Sequence, residues 1–600
     1  MDKNTFTGLF LIMIVLAGSF YFFKPSDAEI KKERERIAAD SAKKAGVNPA
    51  SAPAATAAVT PLVDSAALAG PFGTNITGTA KTNTLENDKL KITLTNKGGR
   101  IQSVTVKGQK TYTGKPVVLF DGDQNKFGLN LNIGGKMVNT NDLYFTAVTG
   151  NNTVAMRANY SADKYIEFIY DLKPNSSQVG FNINLNGLNQ VIQGNTIALN
   201  WEATLLEQEK SSKKEQEHSA PYYKYLEKNP DHLNVAKDEE EELKEGKIEW
   251  FSFKQHFFSA VLIPAVPFDN GKLAVKVSTE PGKIKWYGAT MQMPFNQLAA
   301  QNYAMNFYFG TNKFSTLKEQ GHELEKQVDM GYWPLKYINR FVVLPVFNWL
   351  EGFGWSYGLI ILLLTIALKV AMSPLTYKSY LSMAKMRILK PEMDEIKAKV
   401  GEDNPTLLQQ EYLKLYKQVG VNPLGGCLPM LLQLPFVMAF FFFFPNLFEL
   451  RGESFLWMKD LSTYDDFIKF GFNIPFIGDH LSLMCVLMTI STLIYTYFNN
   501  QISGATGQMK YIGYIMPIIF LGVLNSYPSG LNYYYFLANM LTFAQQFLIK
   551  SMVDDEKIHK TLQDNKAKPV EKKKKSGFSA KLDEYMRQQQ QAAAQQKKNK

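Results

Sequence analysis

Long apolar runs are the feature that most constrains the fold of this chain. Six runs are nearly free of charged residues, and each approaches or reaches the length that a helix needs to cross about 30 Å of hydrocarbon. They cover residues 6–23, 357–375, 424–444, 481–498, 511–524 and 531–549. Five of the six fall in the C-terminal part of the chain, so the sequence predicts one N-terminal span and a polytopic helical membrane bundle of five more.

One lysine, Lys369, lies inside the otherwise apolar run 357–375. A cation near the middle of a bilayer costs about 2.5 to 3.5 kcal/mol on insertion scales, so its presence needs a reason. Thr365 and Ser373 lie four residues to either side, and this spacing places the three polar side chains on one stripe of a helix. The stripe indicates a water-containing groove. The alternative is that the lysine side chain extends to the nearer membrane surface.

The first run predicts either an uncleaved transmembrane anchor over residues 1–24 or a secretory signal peptide. Small residues at 15–17 suit cleavage, whereas the apolar stretch continues to Phe23, which favours the anchor. Residues 25–72 are first charged and then rich in Ala and Pro, a composition typical of a linker.

Short segments of alternating apolar and polar residues, such as 90–94 and 101–106, follow this linker and are separated by Asn, Gly and Asp. Turn residues between period-two segments predict a large antiparallel β-sandwich over residues 73–329. Counting spans from a cytoplasmic amino terminus places this sandwich on the outer side of the membrane. Charged stretches at 207–217 and 237–247 interrupt the pattern, and we expect them to be solvated loop insertions. No cluster of side chains identifies a ligand, so we expect a docking or spacing role, with ligand binding as the alternative.

Residues 330–354 connect the sandwich to the bundle. Apolar residues recur there at helical spacing, with Lys336 and Arg340 between them. This pattern predicts an amphipathic helix that lies on the membrane surface. A connecting helix packed on protein is the alternative.

The five-span bundle is expected to cover residues 355–550, with a soluble helical hairpin at 377–423. Two helix-compatible segments flank a turn that contains Gly and Pro, and the first segment carries Lys385, Met386 and Arg387. The methionines of the hairpin indicate either an adaptable contact surface or ordinary packing between its helices.

A basic tail, residues 551–600, carries thirteen cations and seven acids. Its charge and Gln-rich composition predict disorder. The charge suits an anionic partner such as ribosomal RNA or lipid headgroups, and a merely solubilising tail is the alternative. DNA is not an expected partner.

The charges of the loops also predict the topology. Residues 448–480 carry three cations and six acids, whereas the tail is basic, so both termini and the hairpin are expected in the cytoplasm. Five cations at 24–36, on the outer side of the first span, oppose this orientation.

Motifs for catalysis or metal binding are missing from the sequence. The two cysteines and six scattered histidines lack metal-ligand spacing, and no phosphate loop, nucleophile elbow or zinc-protease helix occurs. We therefore expect no enzyme activity, no cofactor and no metal site.

Four strings in the membrane half are more specific than these patterns. They are Ser-Met-Ala-Lys-Met-Arg at 382–387, Val-Asn-Pro-Leu-Gly-Gly-Cys-Leu-Pro at 421–429, Gln-Leu-Pro at 433–435 and Tyr-Pro-Ser-Gly-Leu at 527–531. In order and spacing they closely resemble the YidC-type membrane protein insertases of the YidC/Oxa/Alb family. The resemblance covers roughly residues 355–550 and is weaker over the sandwich.

This resemblance implies a bundle that encloses a hydrophilic groove, open to cytoplasm and lipid but sealed toward the outside. Lys369 stands where better-known members carry arginine, so the charge is kept and the planar fork of donors is lost. By the same match, Thr365, Gln433, Tyr534 and Tyr535 contribute to the groove.

A greasy face on the second bundle helix is expected to guide the apolar part of a client into lipid. Its residues are Phe436, Val437, Phe440 and Phe441. Ordinary lipid-facing packing of the aromatic run is the alternative.

The function that the resemblance implies is insertion and folding of inner-membrane proteins without nucleotide hydrolysis. The implied partners are nascent inner-membrane proteins, the Sec translocon, the lipid bilayer and, through the tail and hairpin, the ribosome. Two other functions stay open at this point. One is a solute transporter or channel with an outer receptor domain, and the other is a structural envelope scaffold.

Overall fold

The computed structural model describes residues 70–299, 301–401, 405–421, 428–503 and 508–567. The predicted anchor, most of the linker and the end of the tail therefore lie outside the described residues. The strands are β1 (Thr82–Glu86), β2 (Leu90–Thr95), β3 (Arg100–Lys110), β4 (Pro116–Val118), β5 (Asn125–Ile133), β6 (Lys136–Asn139), β7 (Thr146–Thr149), β8 (Thr153–Asn159), β9 (Tyr165–Asp171), β10 (Gln178–Asn186), β11 (Thr196–Leu206), β12 (Ala220–Tyr225), β13 (Asp231–His232), β14 (Glu239–Leu243), β15 (Ile248–Lys254), β16 (Phe258–Pro264), β17 (Asn270–Val277), β18 (Lys283–Pro294), β19 (Gln301–Thr311), β20 (Ile468–Ile474) and β21 (Gly478–Leu481). The helices are α1 (Ser212–Glu217), α2 (Phe314–Glu319), α3 (Leu335–Ile338), α4 (Leu344–Glu351), α5 (Tyr357–Ile388), α6 (Lys390–Val400), α7 (Pro405–Val419), α8 (Leu428–Asn446), α9 (Leu483–Ser503), α10 (Gln508–Leu524), α11 (Ser529–Met552) and α12 (Asp555–Ala567).

Two large antiparallel sheets build the N-terminal β domain. One has nine strands in the order β13-β12-β15-β16-β19-β10-β9-β8-β7, and the other has six in the order β14-β17-β18-β11-β5-β6. Burial alternates residue by residue along β9, β10 and β11, as expected for strands with one face in a core. A four-stranded sheet, β1-β2-β3-β4, precedes them in the chain.

Aromatic rings from both large sheets meet in the core between them. The Trp201 ring on β11 lies 5.5 Å from that of Phe307 on β19, and Phe127 on β5 lies 5.4 Å from Phe181 on β10. Because facing side chains of two sheets interlock in this way, the domain is a β-sandwich, as the alternation predicted.

Every predicted apolar run in the described C-terminal part coincides with a helix, from α5 and α8 to α9, α10 and α11. Within the described residues, one helix, α5, is long and apolar enough to cross a membrane. Shorter apolar stretches occupy Gln433–Asn446 and Tyr511–Leu524. The helix α5 extends beyond the predicted end at 375, and its last turns pass into the predicted hairpin.

The hairpin consists of α6 and α7, which pack on each other on either side of residues 402–404. A small apolar cluster joins them to α12, with Leu415, Val419 and Leu562 at its centre. The expectation of a disordered tail from residue 551 was therefore wrong for Asp555–Ala567, which is a helix with a buried leucine. Residues 568–600 lie outside the described part of the chain.

The charged stretch 207–217 is not a solvated loop. It includes α1, and it docks the β domain onto the loop that follows α8. Arg451 Nε donates to Glu209 Oε1 at 2.7 Å, and both side chains are almost fully buried. Lys210 Nζ lies 2.9 Å from Asp466 Oδ1. The second stretch, 237–247, contains the edge strand β14, whose acidic residues remain largely accessible to solvent.

Burial raises the pKa values of two carboxyl groups at this junction, those of Glu209 and Glu215. It raises the pKa of Glu209 to about 7, against the opposing effect of the Arg451 guanidinium. The pKa of Glu215 is also well above its usual value, because the carboxyl group is buried and the Glu209 charge lies near it. Both carboxyl groups therefore tend to hold a proton in the folded protein.

The segment that connects the two parts is helical from α3 through a π-helical stretch, Asn339–Val343, to α4. Its inner face is fixed to protein, since Asn339 Nδ2 donates to the Ala439 carbonyl at 2.6 Å and Phe347 is fully buried. Its outer face carries large exposed apolar side chains, among them Phe341 and Trp349. The segment thus packs on protein through one face and exposes apolar side chains on the other, and its contact with a membrane surface stays a prediction.

Candidate functional site: a buried cation between three helices

The Lys369 side chain points into the helical region rather than out of it. Only 8% of the residue is exposed. Its ammonium donates to the Thr542 hydroxyl on α11 at 2.6 Å and lies 3.5 Å from Gln433 Oε1 on α8. Gln545 Nε2 donates to the Lys369 carbonyl at 2.9 Å. Three helices thus hold this cation in place. The alternative, a lysine side chain that extends away from the helices to the membrane surface, does not fit this geometry.

Neutral groups are its only hydrogen-bond partners within the described residues. In the same part of the chain no carboxylate forms an ion pair with it, and the residue is almost fully buried. A cation that is removed from bulk water without an opposite charge is poorly compensated. The site is therefore suited to attract an anionic group.

Thr365 and Ser373 lie on the same helix as Lys369 but differ in burial. Thr365 is fully buried, and its hydroxyl donates to the Ile361 carbonyl at 2.6 Å within its own helix. Ser373 is half-buried, one turn beyond Lys369. The predicted polar stripe is present, with Thr365 bonded to the helix backbone.

The two predicted tyrosines lie further along α11. Tyr534 is eight residues before Thr542, about 12 Å along a helix axis. It is buried, with its ring 4.4 Å from that of Phe440. Tyr535 is half-buried, with its ring 5.4 Å from that of Tyr534. These tyrosines belong to an aromatic layer beside the site and do not contact the cation.

The predicted greasy face divides into inner and outer residues. Phe440 is fully buried against Phe444 and Tyr534, so its assignment to an exposed face was wrong. Phe436, Val437 and Phe441 are half-buried.

From residue 433 to the end of α8, where side chains are described, Leu434 and Met438 are the exposed apolar residues. The aromatic run is thus mainly packing inside the bundle.

Sequence analysis missed Thr542 and Gln545. The signal was present, because Asn539, Thr542 and Gln546 recur at helical spacing in the apolar run 531–549. In the structure Asn539 Nδ2 donates to the Thr492 hydroxyl on α9 at 2.8 Å. The polar side chains of α11 therefore extend the site from α5 toward α9.

The hairpin residues connect this region to the C-terminal helix. Arg387 donates to both carboxylate oxygens of Asp555, at 2.9 and 2.7 Å. Met386 packs at the edge of the cluster around Leu562, which favours the packing role of the methionines. Lys385 is half-buried.

An antiparallel β-sandwich docked on apolar helices, one of which is long enough to cross a membrane, is the architecture of a membrane protein with a large soluble domain. Comparison with known proteins agrees with this class. Residues 82–344 match the YidC periplasmic domain, and residues 349–557 match the family described as 60Kd inner membrane protein.

Relatives named membrane protein insertase YidC include one from Bacteroides fragilis, 39% identical, and one from Parabacteroides distasonis, 38% identical. Each alignment covers 98% of both chains. A solved structure of an active YidC insertase is 18% identical, with a TM-score of 0.33 over 78% of this chain and 92% of that chain.

The chain belongs to the YidC family of membrane protein insertases. The family consists of inner-membrane insertases with a periplasmic domain rather than of enzymes, so the expected absence of enzyme activity is confirmed by family membership. The transporter and scaffold alternatives are not favoured.

Proposed function

We propose that this protein inserts and helps to fold inner-membrane proteins through a hydrophilic groove centred on Lys369. The observation that carries the proposal is the buried ammonium, held by Thr542 and Gln433 without an acidic partner in the described residues. A cation kept at this depth for structural reasons alone would be expected to have a carboxylate beside it.

The groove lowers the cost of moving a polar segment into the membrane. Backbone and side-chain polar groups have no partners in hydrocarbon, so each one that enters unpaired is costly. Water and the Lys369 ammonium supply temporary partners over part of the path. Segments with acidic residues gain most, because the charge of the lysine is not already neutralised.

The apolar part of a client leaves toward lipid. On the side of the β domain, the buried rings of Phe440, Phe444 and Tyr534 form an apolar plug that supports closure of the groove in that direction. The exposed side chains of Leu434 and Met438 on α8 offer an apolar surface beside the site. Transfer of apolar surface out of water supplies the driving force, and no nucleotide hydrolysis is required.

The proposed topology has six spans, with the run 6–23 as the anchor and α5, α8, α9, α10 and α11 as the core. Both termini and the hairpin 377–423 are cytoplasmic, and the sandwich 73–329 is periplasmic. The segment 330–354 presents its exposed aromatic side chains to the membrane surface. The acidic loop before α9 and the basic tail support this orientation.

The cytoplasmic partner surface is formed by α6, α7 and α12 together with the basic residues that follow. The Arg387–Asp555 pair fixes α12 to the end of α5 and so places the start of the tail beside the hairpin. A ribosome that delivers a client suits this cationic surface. The Sec translocon is proposed as a lateral partner on the strength of the resemblance alone.

A crosslink map tests the groove directly. A photoreactive amino acid is placed at Thr365, Gln433 or Tyr535 of the full chain, and ribosome-bound nascent membrane protein is presented to it. The control position is Val370, which follows the groove cation on α5 and is exposed. Crosslinks at Gln433 but not at Val370 are expected. Equal crosslinking at all four positions would overturn the groove.

Charge dependence tests the role of the cation. The Lys369→Arg variant is expected to insert clients as the wild type does. The Lys369→Ala variant is expected to lose insertion activity, and the loss should be largest for clients with acidic translocated segments. Lys378→Ala, an exposed lysine on the same helix, is the matched control. An alanine variant at 369 that inserts acidic and neutral clients equally well would remove the cation from the mechanism.

A further inference from the structure

The loop between α8 and α9 contains a two-stranded hairpin, β20–β21, that the insertase mechanism does not use. Seven of the eleven residues 467–477 are Phe or Ile. Most of them are not covered by other residues that the structure describes, since Phe467, Ile468, Phe472 and Phe476 are exposed. An exposed apolar cluster of this kind on a folded protein normally marks a contact surface.

The hairpin has one apolar face. The rings of Phe470 and Phe472 lie 6.2 Å apart, and the residues between and after them, Gly471 and Asn473, are small or polar. The segment has one cation, Lys469, and its ammonium is paired with Asp466 at 2.6 Å. The apolar face therefore carries no uncompensated charge.

This face continues an apolar helix surface. Phe476 packs so closely on Gly522 of α10 that a Cβ atom at that glycine would clash with the ring. Around this contact α10 exposes Ile518, Ile519 and Val523. In an inner-membrane protein such a helix surface faces lipid, so the exposed rings of the hairpin extend the lipid-facing surface beyond the end of α10.

The backbone limits how deep the hairpin lies. Only two strands pair in this sheet, so its two outer edges have no strand partner within the described residues. Unpaired backbone groups are very costly in hydrocarbon but can bond to water and headgroups at the interface. The hairpin is therefore suited to the interfacial layer and not to the hydrocarbon centre.

We propose that β20–β21 docks its phenylalanine face into the interfacial layer of the periplasmic leaflet beside α10. The partner is the phospholipid bilayer surface itself, and burial of apolar side chains drives the contact. Lys210 of the β domain binds Asp466 at the base of this hairpin, so the docked hairpin also fixes the height of the β domain above the membrane. The contact does not depend on the groove around Lys369.

Site-directed spin labelling of the full chain tests this contact. Cys427 and Cys485 are replaced by alanine, and a nitroxide is attached at Phe472→Cys or, as the matched control, at Asn473→Cys. Both residues are exposed and adjacent, so neither label disturbs a core. The protein is placed in nanodiscs of phosphatidylethanolamine with or without phosphatidylglycerol. Power saturation then compares collisions with oxygen, which concentrates in lipid, and with a water-soluble nickel chelate.

The ratio of oxygen to nickel accessibility is expected to be severalfold higher at 472 than at 473, with and without phosphatidylglycerol. Equal ratios at the two positions would overturn lipid docking. A difference that appears only with the anionic lipid would overturn apolar burial as the driving force. Dipolar broadening between labels at 472 on two molecules would instead assign the face to a second copy of the chain. Protection of position 472 only after a client is added would assign it to the client.

Discussion

The Lys369 ammonium on α5 and the Thr542 hydroxyl on α11 lie 2.6 Å apart, while the same hydroxyl donates its proton to the Ala538 carbonyl at 2.6 Å. Because the threonine proton is already engaged, its oxygen is free to accept from the lysine. Thr542 therefore holds the cation toward the interior without neutralising it.

Replacement of Thr542 by valine keeps the side-chain shape and removes this acceptor. We expect Thr542→Val to destabilise the protein by about 1–3 kcal/mol, the usual cost of a buried donor that loses its partner. Insertion of clients with acidic segments should fall, and Thr542→Ser should restore it. The measurements are the melting temperature of the purified protein and the inserted fraction of such a client in proteoliposomes.

A second buried threonine is the control for this variant. Thr489 on α9 donates to the Cys485 carbonyl at 2.9 Å in the same way, but its described hydrogen bonds include none to a cation. Thr489→Val should therefore leave client insertion unchanged. Equal loss of insertion in both variants would show that Thr542 acts only through helix packing.

The pH dependence of stability should report on the carboxyl groups buried at the domain junction. The folded-state pKa of Glu209 is about 7, and that of Glu215 is also raised, against about 4.5 when unfolded. The folded state thus binds more protons than the unfolded state in this window, so stability falls as pH rises from about 4.5 through 7. The melting temperature should be lower at pH 8 than at pH 5.

Glu215→Gln tests the assignment, since glutamine imitates the protonated acid. One carboxylate oxygen, Oε2, accepts from the backbone N–H groups of Gln208 and Glu209 at 3.0 and 3.1 Å, and an amide oxygen can do the same. The variant should melt above the wild type at pH 8 and lose part of the pH dependence. Glu217→Gln, on the exposed side of α1, should follow the wild type. Identical pH profiles for the wild type and Glu215→Gln would refute the assignment.

The ion pair between Arg451 and Glu209 should matter far more than surface pairs do. Arg451→Gln removes the cation from this buried acid, which should then take up a proton, and the lost charge-assisted hydrogen bond typically costs about 1.5–3 kcal/mol. Lys107→Gln breaks the pair between Lys107 and Glu86, two solvent-exposed side chains, and should leave the melting temperature almost unchanged. The measurement is the melting temperature of the two variants at pH 8. A similar small decrease in both would show that the buried Arg451–Glu209 pair does not stabilise the junction between the β domain and the helices.

The helices and the sandwich were predictable because their signals are local. An apolar run long enough to cross a bilayer, or a series of alternating segments, is evident in the order of residues alone. The interactions of 207–217 were not, since Glu209 finds its partner Arg451 at a separation of 242 positions. Charges with distant partners look like solvent-exposed charges in the sequence.

The candidate site was likewise predictable where its signal lies within one segment, and not where it depends on contacts between helices. The cost of a cation in an apolar run identified Lys369, and the family strings identified Gln433, but the lysine contact with Thr542 depends on how α11 is rotated against α5. The aromatic run of α8 is apolar on all sides, so no pattern in it indicates that Phe440 faces inward. Helix rotation is set by tertiary packing, which the pattern of one helix does not contain.

Docking of α12 on the hairpin gives a last prediction. Leu562 is almost fully buried against Val419 and Leu415, and truncation of such a leucine costs about 2–5 kcal/mol. A contact this small should not survive that loss, so Leu562→Ala should release α12 from the hairpin. Amide hydrogen exchange across Asp555–Ala567 should then become fast, while exchange in α11 stays slow.

The neighbouring exposed residue provides the control. Thr561→Ala removes an exposed side chain whose hydroxyl, among the described residues, donates only to the Lys557 carbonyl of its own helix, and it should leave exchange in α12 slow. If α12 remained protected in Leu562→Ala, the Arg387–Asp555 pair would be the dominant contact, and Arg387→Gln would have to release the helix instead. Ribosome binding, measured on the same variants, tests whether the docking of α12 matters for that contact. Release of α12 leaves the net charge of the protein unchanged. Weaker binding would therefore show that the contact depends on geometry and not on charge alone.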